Sequence, residues 1–189
     1  MSDFISVSSF TRLMHPCLTG LVTCCDVDGK PNIITIAWMT PVSVNPPLLC
    51  ISVTPARYSF DLIRAAGEFV VNIAPYQIAG QALLCGRRSG RDENKFEAAG
   101  LMAKPAQRVR PPIIAECVAH VECRLVNDVE AGDHHLFIGE ALAAYARADA
   151  LNEKGMYDLA RTRLLFHVGG DVFTTTSASG EAIALPPDE

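Results

Sequence analysis

Several familiar signatures are missing from this 189-residue chain. There is no GxGxxG turn after a strand and no GxxxxGK[ST] loop, which argues against a Rossmann or P-loop nucleotide site. No run approaches the roughly 20 apolar residues needed to cross a bilayer. The start, MSDFISVSSF, lacks a basic region and a small-residue cleavage site, so the expected location is the cytoplasm. Charge is sparse and nearly balanced, with a net −5 and no long basic tract, which argues against a nucleic-acid partner. The seven cysteines (17, 24, 25, 50, 85, 117, 123) form an odd set with no Cys-x-x-Cys pair, against both a disulfide framework and a structural zinc. Cys24 and Cys25 are adjacent and would point to opposite faces of a strand. The thiols read as small buried hydrophobes in a reducing compartment, with a redox role for one of them as the alternative.

What is present is an apolar, single-core chain: 49% of residues are hydrophobic and 20% charged. LTGLVTCCDV, PNIITIAWM and PLLCISV are rich in β-branched residues and separated by Asp28-Gly29 and Asn45-Pro46-Pro47. They predict a three-stranded meander. TPARYSFDLIRAAGEF predicts a short helix with Ser59 as its cap and Gly67 as its stop. FVVNIA predicts a strand, and YQIAGQALLC a second helix. GRRSGRDENKFEAAG reads as a loop too charged for the core. Two long strands joined through Ala131-Gly132 and two short ones around Gly169-Gly170 complete one domain, residues 1–176, followed by a polar tail, 177–189. Short strands without strand-helix alternation indicate a mainly β fold, a β-barrel with short helices.

Four stretches could carry chemistry. The single tryptophan, Trp38, ends an apolar strand and is followed by Thr40 and Pro41, a suitable wall for a flat ligand; the competing reading is an ordinary core residue. Ser52 to Ser59 turns from strand to helix with hydroxyls and Arg57, suited to a phosphate monoester, or else a plain helix cap. Gly86 to Phe96 gathers Arg87, Arg88, Ser89, Arg91 and Lys95 with two glycines, a loop that can fold over an anion or simply be solvated. Asp133-His134-His135 opens a strand on which the two imidazoles must diverge, so one can face a ligand as hydrogen-bonding partner or acid.

In order and spacing, NIITIAWMTPVSVNPPLLCISV, the R-x-S before a helix, EFVVNIA, GRRSGRDENKF, GDHHLFIGE and HVGGDVF resemble the flavin-reductase-like family of FMN-binding split barrels, which includes flavoredoxins. The resemblance runs from about Val22 to Phe173. It implies a Greek-key-like split barrel, a homodimer, and an FMN ring lying against Thr35, Ala37, Trp38, Met39 and Thr40. It further implies phosphate contacts from Ser52, Thr54, Arg57, Ser59, Ser89 and Lys95, a polar contact from Asn72, and His134 as the catalytic residue. Phe173 stands where relatives have a tyrosine, which removes a hydroxyl from the site. The implied function is an FMN-dependent NAD(P)H oxidoreductase that passes a hydride to bound FMN and electrons on to free flavin, iron or a partner protein. The alternatives are a flavoredoxin-type carrier without its own nicotinamide site, and a barrel that binds another phosphorylated or prosthetic ring, such as haem or pyridoxine phosphate. No membrane partner and no metal site are expected.

Overall fold

The computed structural model describes residues 4–177. Twelve strands follow in chain order: β1 Cys17–Leu18, β2 Gly20–Cys25, β3 Pro31–Ile36, β4 Met39–Ser43, β5 Leu48–Val53, β6 Glu68–Ile73, β7 Ala103–Lys104, β8 Ile113–Ile114, β9 Ala119–Ala131, β10 His134–Ala146, β11 Leu165–Gly169 and β12 Val172–Thr175. The α-helices are α1 Tyr58–Ala66, α2 Ala79–Arg87 and α3 Lys95–Ala99, and a short 3-10 segment, Phe10–Met14, precedes β1. The expected tail falls, after Ser177, outside the described residues.

Seven strands form one antiparallel sheet in the order β3-β2-β6-β9-β10-β5-β4. β3 and β4 are its opposite edges, yet only Ala37 and Trp38 separate them in sequence. Three residue steps span at most ~10–11 Å of extended chain, so the sheet must curl until its edges meet at that point. The β4–β5 ladder runs right up to this junction, with Ser52 N donating to the Trp38 carbonyl at 2.9 Å. Curling is helped by register shifts in the β9–β10 pairing at Ile138/Gly139 and Ala141/Ala143. Gly139 is required there, because a Cβ would lie 2.6 Å from Phe69 Cζ and 2.9 Å from Cys123 Cβ.

β2 is buried on both faces, all six residues of it. Val22 and Cys24 join the barrel core with Ile51, Phe69, Phe137 and the α1 residues Phe60 and Ile63. Leu21, on the opposite face, packs with Ile33, Ala82, Cys85 and Phe96 under α2 and α3. Each such large apolar side chain contributes about 1.5–3 kcal/mol relative to exposure. Helix α1 stops where Gly67 adopts the left-handed conformation (φ 69°), as the sequence predicts.

Four local expectations need correction. PLLCISV is a strand, but it does not extend a meander: β5 pairs with β10 and with β4, on the far side of the sheet from β2–β3. PNIITIAWM is not one strand: β3 ends at Ile36 and a separate edge strand, β4, begins at Met39 and tolerates Pro41. Ser59 does not cap α1; Arg57 holds that position, and Ser59 sits buried inside the first turn. The charged stretch after α2 is not all loop, since α3 buries Lys95 and Phe96. No helix is long and apolar enough to cross a membrane among the described residues.

Candidate functional site

A cleft of about 590 Å³ opens where the barrel edges meet. Its walls include Thr35, Ala37 and Trp38 from the β3–β4 junction, Ser52 and Thr54 from β5 and its turn, Arg57 before α1, and His134 at the start of β10. Such a volume suits a single small ligand or cofactor. A narrower cavity of about 90 Å³ adjoins it, lined by Ser59, Arg88, Ser89, Gly90, Lys95 and Asn32. Ile34, Arg57, Gly86 and Arg87 line both, so the two cavities are neighbours divided by these four residues.

Trp38 is 44% exposed and therefore a wall of the cleft rather than a core residue. Its ring lies 5.1 Å from that of His134, tilted by 37°. His134 Nδ1 donates to the Asp133 carboxylate at 2.8 Å, so Nε2 is left for a ligand. His135 diverges as the strand period requires: its Nδ1 bonds Asp128 at 2.5 Å, and its ring packs edge-on to Phe60. Thr35 donates its hydroxyl to Ala82 O at 2.6 Å, which ties β3 to α2 and leaves chiefly its main chain to the cleft. The Ser52 and Thr54 hydroxyls have no hydrogen-bond partner among the described residues.

The narrow cavity is lined by hydrogen-bond donors that could hold an anion. Lys95 is buried, and its ammonium donates to Ile33 O at 2.8 Å and Cys85 O at 2.7 Å, which leaves a third N–H. Burial pulls its pKa below the ordinary lysine range, an unfavourable state that a neighbouring anion would relieve. Asn32 Nδ2 donates to Ser59 Oγ at 2.8 Å, which fixes the serine in the cavity wall. Asn32 Oδ1 is itself buried with no hydrogen-bond partner. Gly90 closes against this amide so tightly that a Cβ would lie 2.0 Å from Asn32 Oδ1. Arg57 has no carboxylate partner among the described residues, and no Asp or Glu lines either cavity.

Three expected contacts lie elsewhere. Asn72 is fully buried: Nδ2 donates to Leu21 O and Thr23 Oγ1, while Oδ1 accepts from Ile114 N and meets His120 Nδ1 at 2.8 Å. It braces β2, β6, β8 and β9, and it does not reach the cleft. Met39 packs into the barrel core beside Gly20 and Val71. Thr40 is exposed on the edge strand, with its hydroxyl turned to Pro41 O. Conversely, sequence reasoning assigned no role to Arg12, His15 or His167, which line the cleft. His15 and His167 are 152 residues apart, and no local spacing connects them. Phe173 does line the cleft, where a tyrosine would add a hydroxyl. Six of the seven cysteines are buried, and burial raises the pKa of Cys24, Cys25, Cys50, Cys85, Cys117 and Cys123, which makes them poor nucleophiles.

A curled antiparallel sheet whose meeting edges frame an aromatic-walled cleft beside a cationic pocket defines a small-ligand-binding split barrel. The chain belongs to the flavin reductase-like domain family, whose model matches residues 13–171. It is 38% identical over 174 residues to an uncharacterized protein of Archaeoglobus fulgidus, covering 91% of this chain and 95% of that one. A flavin reductase of Pseudomonas putida is 37% identical over 125 residues, which are 66% of this chain and 70% of the relative. Among solved structures, the flavoredoxin of Desulfovibrio vulgaris superposes with a TM-score of 0.81 at 25% identity, covering 98% of this chain and 96% of that one. An FMN-binding protein of Thermus thermophilus shares the fold with a TM-score of 0.85 at 24% identity, covering 97% and 100%.

Proposed function

We propose that this protein binds FMN and works as an NAD(P)H-dependent oxidoreductase of the flavin-reductase kind. The observation that carries the reading is that a cationic pocket with no Asp or Glu in its lining adjoins a wide cleft walled by the only tryptophan. The residues fit the cofactor: a phosphate monoester needs donors alone, and Lys95, Arg57, Ser59 and Ser89 supply them without an opposing carboxylate. The flat ring would lie in the cleft with Trp38, the main chain of residues 35–38, Ser52 and Thr54 around it.

Bound FMN supplies the two-electron chemistry that no side chain offers. The chain's own residues orient the ligand, attract its negative charge and set an imidazole nitrogen beside it that can take up a proton and return it. His134 does the last of these: Asp133 fixes its tautomer, and Trp38 packs against its ring. Electrons from NADH or NADPH would pass to free flavin, iron or a partner protein. Homodimerisation is part of the proposal. Phe10, Leu13 and Met14 on the 3-10 segment beside the cleft are 76%, 68% and 69% exposed, an apolar strip that a second copy would cover.

The carrier reading draws on the similarity to the D. vulgaris flavoredoxin and on the missing dinucleotide fingerprint. One experiment separates the two. The purified protein is loaded with FMN and mixed anaerobically with NADH, then with NADPH, while the flavin absorbance is followed. Saturable bleaching within seconds supports a reductase, and bound flavin that stays oxidised supports a carrier. Protein that takes up no FMN contradicts both.

A further inference from the structure

The cleft carries more positive charge than a single phosphate calls for, and that charge sits on a wall the narrow pocket does not share. Arg12, His15 and His167 line the cleft but not the phosphate cavity. Arg12 lies on the 3-10 segment, and its Nη1 stands 3.5 Å from where a Cβ on Gly169 would be, so the guanidinium lies against the β11–β12 turn. Like Arg57, it has no carboxylate partner among the described residues, although Arg64, Arg87, Arg88, Arg91, Arg110 and Arg124 all pair with one.

The imidazoles are set in place with one nitrogen each to spare. His15 Nδ1 lies 2.9 Å from the His167 carbonyl, and His167 Nε2 lies 3.0 Å from the Gly170 carbonyl. A carbonyl only accepts, so those nitrogens carry protons. His15 Nε2 and His167 Nδ1 have no bonded partner among the described residues, and on protonation each becomes a further donor. The rings meet edge to face at 5.0 Å, which fixes both relative to Arg12's segment and the turn. In a chain of net charge −5 with 21 acidic residues, no Asp or Glu lines the cleft, and the acid of this turn, Asp171, is paired with Arg87. The fixed charge of Arg12 is what favours an anion here, and the imidazoles add donors to it only in their protonated form.

We infer that Arg12, His15 and His167 form a second anion subsite, distinct from the FMN phosphate pocket, which holds the phosphate or carboxylate of the redox substrate entering the cleft. The inference rests on the reading that the cleft holds FMN beside this wall. The shared chemistry is an oxyanion on a small redox substrate: the diphosphate of a nicotinamide dinucleotide or the carboxylate of an acceptor. Arg12 contributes a forked, permanently charged grip, and the histidines narrow the approach.

The test begins with FMN-loaded protein, so that the phosphate pocket is filled, titrated with inorganic pyrophosphate while the histidine Cε1–H resonances are followed by NMR. The expected result is saturable movement of the His15 and His167 signals, with affinity about tenfold weaker in R12Q. Two kinetic arms identify the occupant. A loss in R12Q of about tenfold in preference for NADH over the uncharged reductant 1-benzyl-1,4-dihydronicotinamide assigns the subsite to the dinucleotide. An equal loss in preference for a carboxylated over an uncharged acceptor assigns it to the acceptor. Pyrophosphate that leaves both histidine signals unmoved, or binds R12Q as it binds the parent, overturns the subsite. Wild-type protein that takes up no FMN overturns the flavin reading instead; the same titration on unloaded R57Q protein then still decides whether Arg12 binds anions.

Discussion

Replacing Lys95 by methionine keeps the apolar stem and removes the charge. The hydrogen bonds to Ile33 O and Cys85 O, at 2.8 and 2.7 Å, are lost, and charge-assisted bonds of this kind are worth about 1.5–3 kcal/mol each. Against that, a buried ammonium is itself unfavourable, and the substitution relieves that cost. The two effects offset, so the net change in fold stability should be about 1 kcal/mol, a Tm shift of roughly 2–4 °C. FMN affinity, by contrast, should fall about 10- to 100-fold, because the buried cation of the proposed phosphate pocket has gone. The pH dependence sharpens the test. Burial lowers the pKa of Lys95 in the free folded protein, so in the window between that value and the ordinary lysine value the unfolded chain binds more protons, and stability of the free protein rises with pH. A bound phosphate pulls the pKa back up. FMN affinity should therefore be level below the free-state pKa and decline as pH rises through it, whereas K95M should be flat in that window. Isothermal titration across alkaline pH, with thermal melts alongside, measures both. Unchanged FMN affinity in K95M, or an alkaline decline that persists in it, refutes the reasoning.

Three further substitutions probe other parts of the structure. Gly90→Ala places a Cβ on Asn32 Oδ1, which should push the amide off Ser59, cost about 1–3 kcal/mol in a melt and weaken FMN binding in the same titration. Gly139→Ala drives a methyl into Phe69 and Cys123 at the bulge of β10; roughly 3 kcal/mol of lost stability, or an insoluble product, is expected, and a melt within 1 °C of the parent would contradict the packing. Glu122 is buried; burial alone would raise its pKa, but hydrogen bonds from Gln107 N, the Tyr145 hydroxyl, Arg108 N and Val109 N outweigh that and hold it below the usual carboxylate range. Its stabilisation is thus present above the unfolded carboxylate pKa and lost as pH falls through the folded one. E122Q should be about 2 kcal/mol less stable at pH 7, with the gap closing in acid denaturation profiles.

Much of the barrel was legible in local pattern. β2, β5 and β6 announce themselves as β-branched runs, and β9 and β10 as long strands about a glycine turn, even at the alanine-rich end of β10. The closure was not legible, because it depends on which strands become neighbours. PNIITIAWM has the pattern of one continuous strand, which hides the break at Ala37-Trp38 where the chain crosses from one sheet edge to the other and turns a meander into a barrel. Among the site residues, Trp38, Arg57, Ser59, Ser89, Lys95 and His134 line the two cavities as their types suggested. Asn72 misled, because an amide in an apolar strand has the same appearance whether it faces a ligand or ties strands together, and here five neighbouring protein groups consume it. Arg12, His15 and His167 were beyond sequence reasoning because the pairing of β1 with β11 brings the two ends of the chain together.

Trp38 is the sole tryptophan and sits in the proposed ring site, so its fluorescence reports directly on the central claim. The most direct measurement is a fluorescence titration with FMN and, in parallel, with riboflavin, which has the same ring without the phosphate. The account predicts saturable quenching at one FMN per chain and at least about 100-fold weaker binding of riboflavin. Equal affinity for the two would contradict the phosphate pocket, and no quenching by either would contradict the flavin site itself.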